Sequence, residues 1–261
     1  MTTQTSTVAL VTGGTSGIGL AVVRDLARRG HRVFLCARTE QQVKETVTDL
    51  LDEGLEAAGA VADVRDPDSV KALVAAAVEA FGPIGILVNN AGRSGGGPTA
   101  GLTDELWDDV IATNLTSVFR LTREVLNNGG MQDRGRGRII NIASTAGKQG
   151  VVLGAPYSAS KHGVVGFTKA LGNELAPTGI TVNAVCPGYV ETPMAQRVRS
   201  GYAAAYDTSE EQIMQKFTAK IPLGRYSTPE EVAGLVGYLT TDMAASITSQ
   251  ALNVCGGLGN F

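Results

Sequence analysis

The chain has 261 residues, long enough for one large domain, and 43% of them are hydrophobic, which is enough for a substantial buried core. Its formal net charge of −3 argues against a nucleic-acid-binding protein. No apolar run approaches the length of a membrane span. The first six residues lack the basic segment of a signal peptide, so we expect a cytoplasmic protein.

Cysteine and histidine usage points to neither disulfides nor a metal site. Cys36, Cys186 and Cys255 are isolated and odd in number, which predicts buried free thiols in a reducing compartment. His31 and His162 have no partners at ligand spacing, so we expect no metal.

Short apolar runs alternate with helix-length segments along the whole chain. The predicted strands cover residues 8–11, 32–36, 56–62, 86–88, 138–142, 181–184 and 252–254. The predicted helices cover residues 17–29, 40–53, 68–81, 104–126, 155–176 and 229–240. Continuously apolar strands separated by helices are typical of a parallel sheet buried on both faces. We therefore predict one α/β domain, a Rossmann-like doubly wound parallel sheet of about seven strands with helices on both faces.

Two segments interrupt this alternation. Residues 93–98 are too rich in glycine for a regular element. Residues 191–225 are long for a connection, and their charges and tyrosines predict a helical lid. The alternative for both segments is a surface loop.

A glycine-rich turn lies between the first strand and the first helix. Its pattern is Gly-x-x-x-Gly-x-Gly, with glycines at positions 13, 17 and 19. Such a turn lets the backbone approach a pyrophosphate, and the helix N-terminus supplies free N–H groups. The alternative is a purely structural turn. The residues predicted to bind a cofactor here are Gly13, Thr15, Ser16, Gly17, Ile18 and Gly19.

Arg38 follows the second strand, at the place where an NAD site usually carries a carboxylate on the ribose 2′-hydroxyl. A cation at that place favours a 2′-phosphate. We therefore predict NADPH rather than NADH as the cofactor. The alternative is a surface arginine without a ligand.

Two further turns follow the third and fourth strands. Asp63 and Val64 are predicted to contact adenine through a carboxylate and a backbone N–H. Asn90, Ala91 and Gly92 are predicted to pass close to the adenosine ribose. The alternative for Asp63 and Asn90 is capping or turn chemistry.

Tyr157 and Lys161 lie four residues apart on a predicted helix and therefore share one face. A phenol is a weak acid with a pKa of about 10, and a neighbouring ammonium favours the phenolate. The pair alone is also typical of an ordinary helix surface. However, Ser144 ends the fifth strand, and the carboxyl ends of parallel strands form the edge at which open α/β sheets bind ligands. Asn114, in the helix after the fourth strand, is a further candidate.

These motifs together resemble the short-chain dehydrogenase/reductase family over essentially the full chain. More closely, the chain resembles the ketoreductases of bacterial aromatic (type II) polyketide synthases, through residues 144–151, 157–169, 183–187 and 251–260. One departure is Ser94, where a member of that group has proline. The resemblance implies an NADPH-dependent enzyme that reduces one ketone of an aromatic polyketide, held on an acyl carrier protein, in antibiotic biosynthesis.

The resemblance also implies residue roles. Ser144 and Tyr157 bind the ketone oxygen, Tyr157 donates the proton, Lys161 lowers the pKa of the phenol and holds the nicotinamide ribose, and Asn114 anchors a water. Further implied cofactor contacts are Pro187, Gly188, Val190 and Thr192. The implied substrate contacts are Ser94, Gly95, Gly96, Thr145, Gln149, Val151, Met194, Val198 and Tyr202. The alternative for the lid side chains is a local packing cluster.

Partners and rival functions complete the expectations. Arg38, Arg65 and Arg93 follow successive strands and are predicted to steer an acidic carrier protein. The alternative is that they are solvated arginines with no partner. The resemblance implies a homotetramer with the apolar tail at residues 254–261 near a subunit contact. The nearest rival is a 3-oxoacyl-[acyl-carrier-protein] reductase of fatty-acid synthesis. A rival of another class is a non-catalytic NADPH-binding sensor or scaffold.

Overall fold

A seven-stranded, all-parallel sheet forms the centre of the computed structural model, which describes residues 6–259. The strands are β1 (Val8–Thr12), β2 (Arg32–Ala37), β3 (Ala57–Val61), β4 (Ile84–Asn89), β5 (Gly137–Ile142), β6 (Ile180–Pro187) and β7 (Ala251–Val254). Their order across the sheet is β3-β2-β1-β4-β5-β6-β7. The predicted fold class is confirmed. The last two residues of the predicted tail contact lie outside the described residues.

Helices cover both faces of this sheet. They are α1 (Gly17–Arg28), α2 (Glu40–Asp52), α3 (Pro67–Phe81), α4 (Asp104–Ile111), α5 (Ser117–Asn128), α6 (Ala155–Leu175), α7 (Pro193–Ala205), α8 (Glu210–Thr218) and α9 (Pro229–Thr240). The segment at 191–225 is helical, as predicted, and contains α7 and α8. The segment at 104–126 is helical, as predicted, and a π turn at Ala112–Thr116 joins α4 to α5 within it.

The core lies on both faces of the sheet, and β1 shows how. Ala9 and Val11 pack into a cluster with side chains of α1, α2 and α9. Val8 and Leu10, which alternate with them, pack into a second cluster with side chains of α3, α5 and α6. All four side chains are at most 1% exposed. Both faces of the strand are therefore buried, which explains why residues 8–11 form one continuous apolar run in the sequence.

Buried amide side chains connect the centre of the sheet to two of the helices. Asn89 and Asn141 are register partners on β4 and β5, and Asn89 Nδ2 donates to Asn141 Oδ1 at 2.8 Å. Asn89 Nδ2 also donates to Thr122 Oγ1 of α5 at 3.1 Å, and Asn141 Nδ2 donates to Thr168 Oγ1 of α6 at 2.9 Å. Because buried amides need partners, these bonds hold α5 and α6 at defined heights over the sheet.

The strand order reverses between β1 and β4, since the chain returns from β3 at one edge to β4 beside β1. Loops that leave neighbouring strands in opposite directions open a crevice at the carboxyl edge, where ligands bind. Within residues 6–259, no helix is long and apolar enough to cross a membrane. The same residues contain no cluster of three or more potential metal ligands.

Candidate active site

The glycine turn after β1 is built for close approach of backbone. Gly13 and Gly17 have φ values of +64° and +52°, in the left-handed region that favours glycine. A Cβ added to Gly19 would lie 2.1 Å from the carbonyl oxygen of Gly13, so no other residue fits without displacing the turn. The N-cap residue Ser16 makes no side-chain cap bond, which leaves the first N–H groups of α1 for an anion. The turn therefore fits a pyrophosphate.

Asn90 joins this turn to the loop after β4. Its Nδ2 donates to the carbonyl oxygens of Thr12 at 2.8 Å and Gly13 at 3.1 Å. In return, Thr12 Oγ1 accepts the backbone N–H groups of Asn90 and Ala91, both at 3.0 Å. Sequence reasoning missed Thr12, whose only signal was a hydroxyl directly before the glycine turn. The turn role that was the alternative for Asn90 is present, and its contact with the ribose stays a prediction.

The segment after β6 reaches over the glycine turn. Gly188 donates its N–H to the Val254 carbonyl of β7 at 3.0 Å, and a Cβ there would lie 2.9 Å from the Cβ of Cys255. Thr192 caps α7 by accepting the N–H of Ala195 at 3.2 Å. Its methyl group lies 3.2 Å from a Cβ placed on Gly17. Thr192 therefore lies beside the glycine turn, and contact of Pro187, Gly188, Val190 and Thr192 with a cofactor stays a prediction.

Asp63, after β3, is already engaged by a cation. Arg65 donates to its carboxylate through Nε at 3.0 Å and Nη2 at 2.6 Å, and this hydrogen bonding lowers the pKa of Asp63. The exposed Arg38 also contributes to that lowering. Val64 is 8% exposed and packs in the core, so only its backbone is free to meet adenine. Contact of Asp63 and Val64 with adenine stays a prediction.

Two of the three arginines predicted to attract a carrier protein, Arg65 and Arg93, are partly neutralised by carboxylates. Arg65 Nη1 donates to Asp109 at 2.6 Å, and Arg93 forms an ion pair with the same carboxylate. The shallow depression beside them is lined by further carboxylates, from Asp66, Glu105 and Asp108. This surface is therefore less positive than the arginines alone predicted.

Ser144, Tyr157 and Lys161 converge where β5 meets α6. Ser144 and Lys161 are 9% and 5% exposed. The Ser144 hydroxyl hydrogen-bonds the phenol of Tyr157, and the Lys161 ammonium lies 5.8 Å from the centre of the phenol ring. Lys161 Nζ also donates to the Ile142 carbonyl at 2.8 Å. The structure thus places two hydroxyl groups and a cation in one largely buried site.

Burial decides the protonation of this group. It raises the pKa of Tyr157 above its usual value, and the hydrogen bond from Ser144 only opposes that effect. It lowers the pKa of Lys161 to about 8. The net shift of the phenol pKa is upward, because loss of water around the phenol is the largest effect. The lowering of that pKa by Lys161 stays a prediction. At neutral pH the phenol therefore keeps its proton and the ammonium keeps its charge.

Asn114 anchors the π turn between α4 and α5. Its Oδ1 accepts the N–H of Arg93 at 2.8 Å, and its Nδ2 donates to the Arg93 carbonyl at 3.0 Å and to Ser160 Oγ at 3.1 Å. Ser160 Oγ in turn donates to the Tyr157 carbonyl at 2.7 Å. This chain of bonds ties the loop after β4 to the helix that carries the phenol. Sequence reasoning missed Ser160, and the water-anchoring role of Asn114 stays a prediction.

The predicted substrate loops contact each other. Gly97 donates its N–H to the Leu153 carbonyl at 2.8 Å, and a Cβ on Gly96 would lie 1.9 Å from that oxygen. A Cβ on Gly95 would lie 2.4 Å from a methyl group of Val110. Leu153 itself has a φ of 60°, a strained value for leucine. The glycines at 95 and 96 thus allow residues 94–97 to pack tightly against α4 and residues 151–154.

Helix α7 contacts the second of these loops and packs against α8. Tyr202 OH donates to the Val152 carbonyl at 2.7 Å. Val198 and Tyr202 also pack on a cluster that includes Ile213 and Phe217. Val198 and Tyr202 therefore do pack in a local cluster, which was the alternative for the lid side chains. Met194 is partly exposed, Thr145 is buried in the turn after β5, and Gln149 is partly exposed beyond it.

Comparison with known proteins defines the family. The sequence profile of the short chain dehydrogenase family matches residues 7–203. The chain belongs to that family.

Two sequence relatives and one solved structure narrow the comparison. The ketoacyl reductase assigned to the monensin polyketide synthase of Streptomyces virginiae is 78% identical over all 261 residues of both chains. Ketoacyl reductase 1 assigned to the granaticin polyketide synthase of Streptomyces violaceoruber is 64% identical over 99% of this chain and 95% of its own. A variant of the actinorhodin polyketide ketoreductase, solved with NADPH, superposes with a TM-score of 0.96 at 62% identity and covers both chains completely.

The lowered pKa of Lys161 predicts a pH dependence. Below pH about 8 the ammonium is present, and above it the charge is lost. We expect kcat/KM for NADPH, which reports groups of the free enzyme, to fall by about tenfold per pH unit above that midpoint. Rates measured from pH 6 to 10.5 test this, with a buffer of constant ionic strength.

The temperature dependence of the midpoint identifies the group, because an ammonium ionises with a larger enthalpy than a phenol. A midpoint near pH 8 with ammonium behaviour supports Lys161. A profile that stays flat to pH 10, or a limb with phenol behaviour, contradicts this assignment.

Proposed function

We propose that this protein is an NADPH-dependent ketoreductase that reduces one ketone of a carrier-bound aromatic polyketide to a secondary alcohol in antibiotic biosynthesis. The observation that carries the proposal is the buried group of Ser144, Tyr157 and Lys161. It occurs in a chain that is 78% identical, from end to end, to a polyketide ketoacyl reductase. The geometry supplies the reaction class and the relatives supply the substrate class.

Each proposed catalytic residue has a separate role in the reduction. NADPH, when bound, supplies a hydride to the ketone carbon. The hydroxyl groups of Ser144 and Tyr157 donate hydrogen bonds to the ketone oxygen, where negative charge develops. Tyr157 then gives its proton to that oxygen as general acid. Lys161 stabilises the phenolate that remains, and Asn114 is proposed to hold a water that returns a proton.

The crevice offers matching groups for each part of NADPH. The glycine turn at 13–19 and the start of α1 are proposed to hold the pyrophosphate, and Arg38 the 2′-phosphate. Tyr157 and Lys161 are proposed to contact the nicotinamide ribose. The turns at 63–64 and 90–92 and the segment at 187–192 are proposed to complete the site.

The whole chain acts as a single domain in this proposal, with residues 191–225 as a lid over the substrate. The lid rests on stacked aromatic rings, since Tyr189 lies 4.7 Å from Phe217 and 5.2 Å from Tyr226 between ring centres. The bond from Tyr202 to Val152 supports contact between the lid and the substrate loop. The proposed substrate contacts are Ser94, Gly95, Gly96, Thr145, Gln149, Val151, Met194, Val198 and Tyr202.

The rival reading as a fatty-acid enzyme rests on a weaker likeness. A 3-oxoacyl-[acyl-carrier-protein] reductase of Vibrio cholerae is 39% identical over 96% of each chain. The two functions use the same chemistry on different substrates. A bicyclic ketone and a short linear β-ketoacyl thioester, offered separately, therefore discriminate between them. Better turnover of the linear thioester would favour the rival.

Substitution Tyr157→Phe tests the proposed reaction. Incubation with the carrier-bound polyketide and NADPH should yield a product with one alcohol in place of a ketone, identified by mass spectrometry and NMR. The variant keeps the ring and loses the proton, so we expect turnover to drop by at least about 100-fold. NADPH binding, followed by fluorescence, should change less than about threefold. Near-normal turnover by the variant would contradict the role of Tyr157.

Substitution Arg38→Asp tests the choice of cofactor. Removal of the cation and introduction of a carboxylate should weaken NADPH binding and favour NADH, because the carboxylate repels a 2′-phosphate and accepts a 2′-hydroxyl. We expect the ratio of kcat/KM values for NADPH over NADH to fall by at least about 100-fold, equivalent to about 2.7 kcal/mol. Arg28→Asp, on an exposed part of α1, is the matched control. An unchanged ratio would show that another residue selects the phosphate.

Partners and location follow from the same proposal. We infer an acyl carrier protein as the donor of the substrate and a homotetramer as the assembly, which light scattering at micromolar concentration can measure. Arg38, Arg65 and Arg93 stay candidates for docking the carrier protein. To bind Arg65 or Arg93, an acidic carrier protein would have to compete with Asp63 and Asp109, which already form ion pairs with these two guanidinium groups. Three buried free thiols suit a reducing compartment, so we place the enzyme in the cytoplasm.

A further inference from the structure

A basic cavity lies at the amino edge of the sheet, opposite the proposed active site. It forms where β4 and β5 begin, and its wall includes Arg134, Arg136, Arg138 and His31. Its volume is about 20 Å³, which is room for one particle the size of a water molecule. Neither NADPH binding nor ketone reduction uses these residues.

Arg138 is the unusual member of this wall. It is 5% exposed, and its Nη1 donates to the carbonyl of the preceding residue, Gly137, at 3.0 Å. Its Nε is buried and has no hydrogen-bond partner within the described chain. A buried guanidinium without a counter-ion is costly, because the charge has lost its water. Burial and the nearby Arg136 accordingly lower the pKa of Arg138.

The surrounding charges do not compensate Arg138. Asp242 is the carboxylate that acts on it, but Asp242 already forms an ion pair with Arg136. Arg134 adds a further cation, since a Cβ on the neighbouring Gly85 would lie 3.5 Å from its Nε. His31 is 2% exposed, and burial lowers its pKa, so it contributes polarity rather than charge. Three guanidinium groups thus line the small cavity, and Asp242 is the one carboxylate among the described residues that acts on Arg138. Asp25 and Arg29, which act on the nearby His31, form an ion pair with each other.

We propose that this cavity binds one small inorganic anion of the size of chloride, held by the buried Nε of Arg138. The anion supplies the missing hydrogen-bond acceptor and the missing negative charge at once. Its role is structural, because it stabilises the start of β5, the strand that leads to Ser144. A bulky oxyanion such as phosphate exceeds the volume of the cavity.

Anomalous diffraction tests the site directly. Crystals of the wild-type protein with NADPH are soaked in 0.5 M sodium bromide, and data are collected at the bromine edge. An anomalous peak within about 3.5 Å of Arg138 Nε supports the proposal. If no anomalous peak is found there and the density is that of an ordinary water molecule, the proposal is overturned.

Thermal unfolding in solution gives an independent readout. Chloride should raise the Tm by about 3 °C between 0 and 200 mM at constant ionic strength with gluconate, and the rise should saturate. Saturating NADPH keeps anions out of the cofactor site during the titration. Phosphate should show no saturable rise, and a rise with phosphate alone would contradict the proposed size of the ligand.

Variants separate this site from general salt effects. Arg138→Met keeps the length of the side chain and should abolish the saturable rise, whereas Arg28→Met, which removes an exposed arginine of an ion pair, should retain it. Equal chloride responses in the wild type and Arg138→Met would refute the proposal. If Arg138→Met does not fold, the chloride response of Arg134→Met and the bromide peak in the wild type show whether the cavity binds an anion.

Discussion

The hydrogen bond between Asn89 and Asn141 is the contact on which the site geometry depends. These buried amides bind each other across β4 and β5 and reach Thr122 and Thr168 on the covering helices. An amide without a partner in the core would cost about 1–3 kcal/mol. The helices therefore have one favourable height over the sheet, and α6 delivers its first turns to the carboxyl end of β5. A second chain of bonds, through Asn114 and Ser160, ties the same helix to the loop after β4.

Burial is the second constraint, and it changes the chemistry as well as the packing. In water a phenol and an ammonium have pKa values near 10, so both groups hold their protons at neutral pH. In the folded chain the pKa of Lys161 falls to about 8, and that of Tyr157 rises. The phenol thus holds its proton until a charge develops on a bound oxygen, which is the moment when a general acid is needed. A cofactor bound beside them would add its own charges to this balance.

Close approach explains why glycine is needed at several positions that bear no functional group. Gly19 lets α1 begin against the carbonyl of Gly13, and Gly96 lets its loop pack against Leu153. In both cases a single methyl group would overlap backbone atoms, which cannot move aside as a side chain can. The surfaces proposed to bind a phosphate and a substrate therefore depend on the absence of a side chain at Gly19 and Gly96.

The sequence by itself determined the order and type of most elements, the glycine turn and the pairing of Tyr157 with Lys161. These are local signals, because the apolar period and the four-residue spacing on a helix need no knowledge of distant contacts. Only the tertiary structure decided the π turn at Asn114, the amide pair of Asn89 and Asn141, and the neutralisation of Arg65 and Arg93 by Asp109. It also decided the direction of the pKa shift of Tyr157 and left Arg138 without a counter-ion of its own among residues 6–259. Each of these features depends on contacts between residues from distant parts of the chain and on how much water those contacts exclude. The spacing of residues along the sequence predicts neither the contacts nor the loss of water.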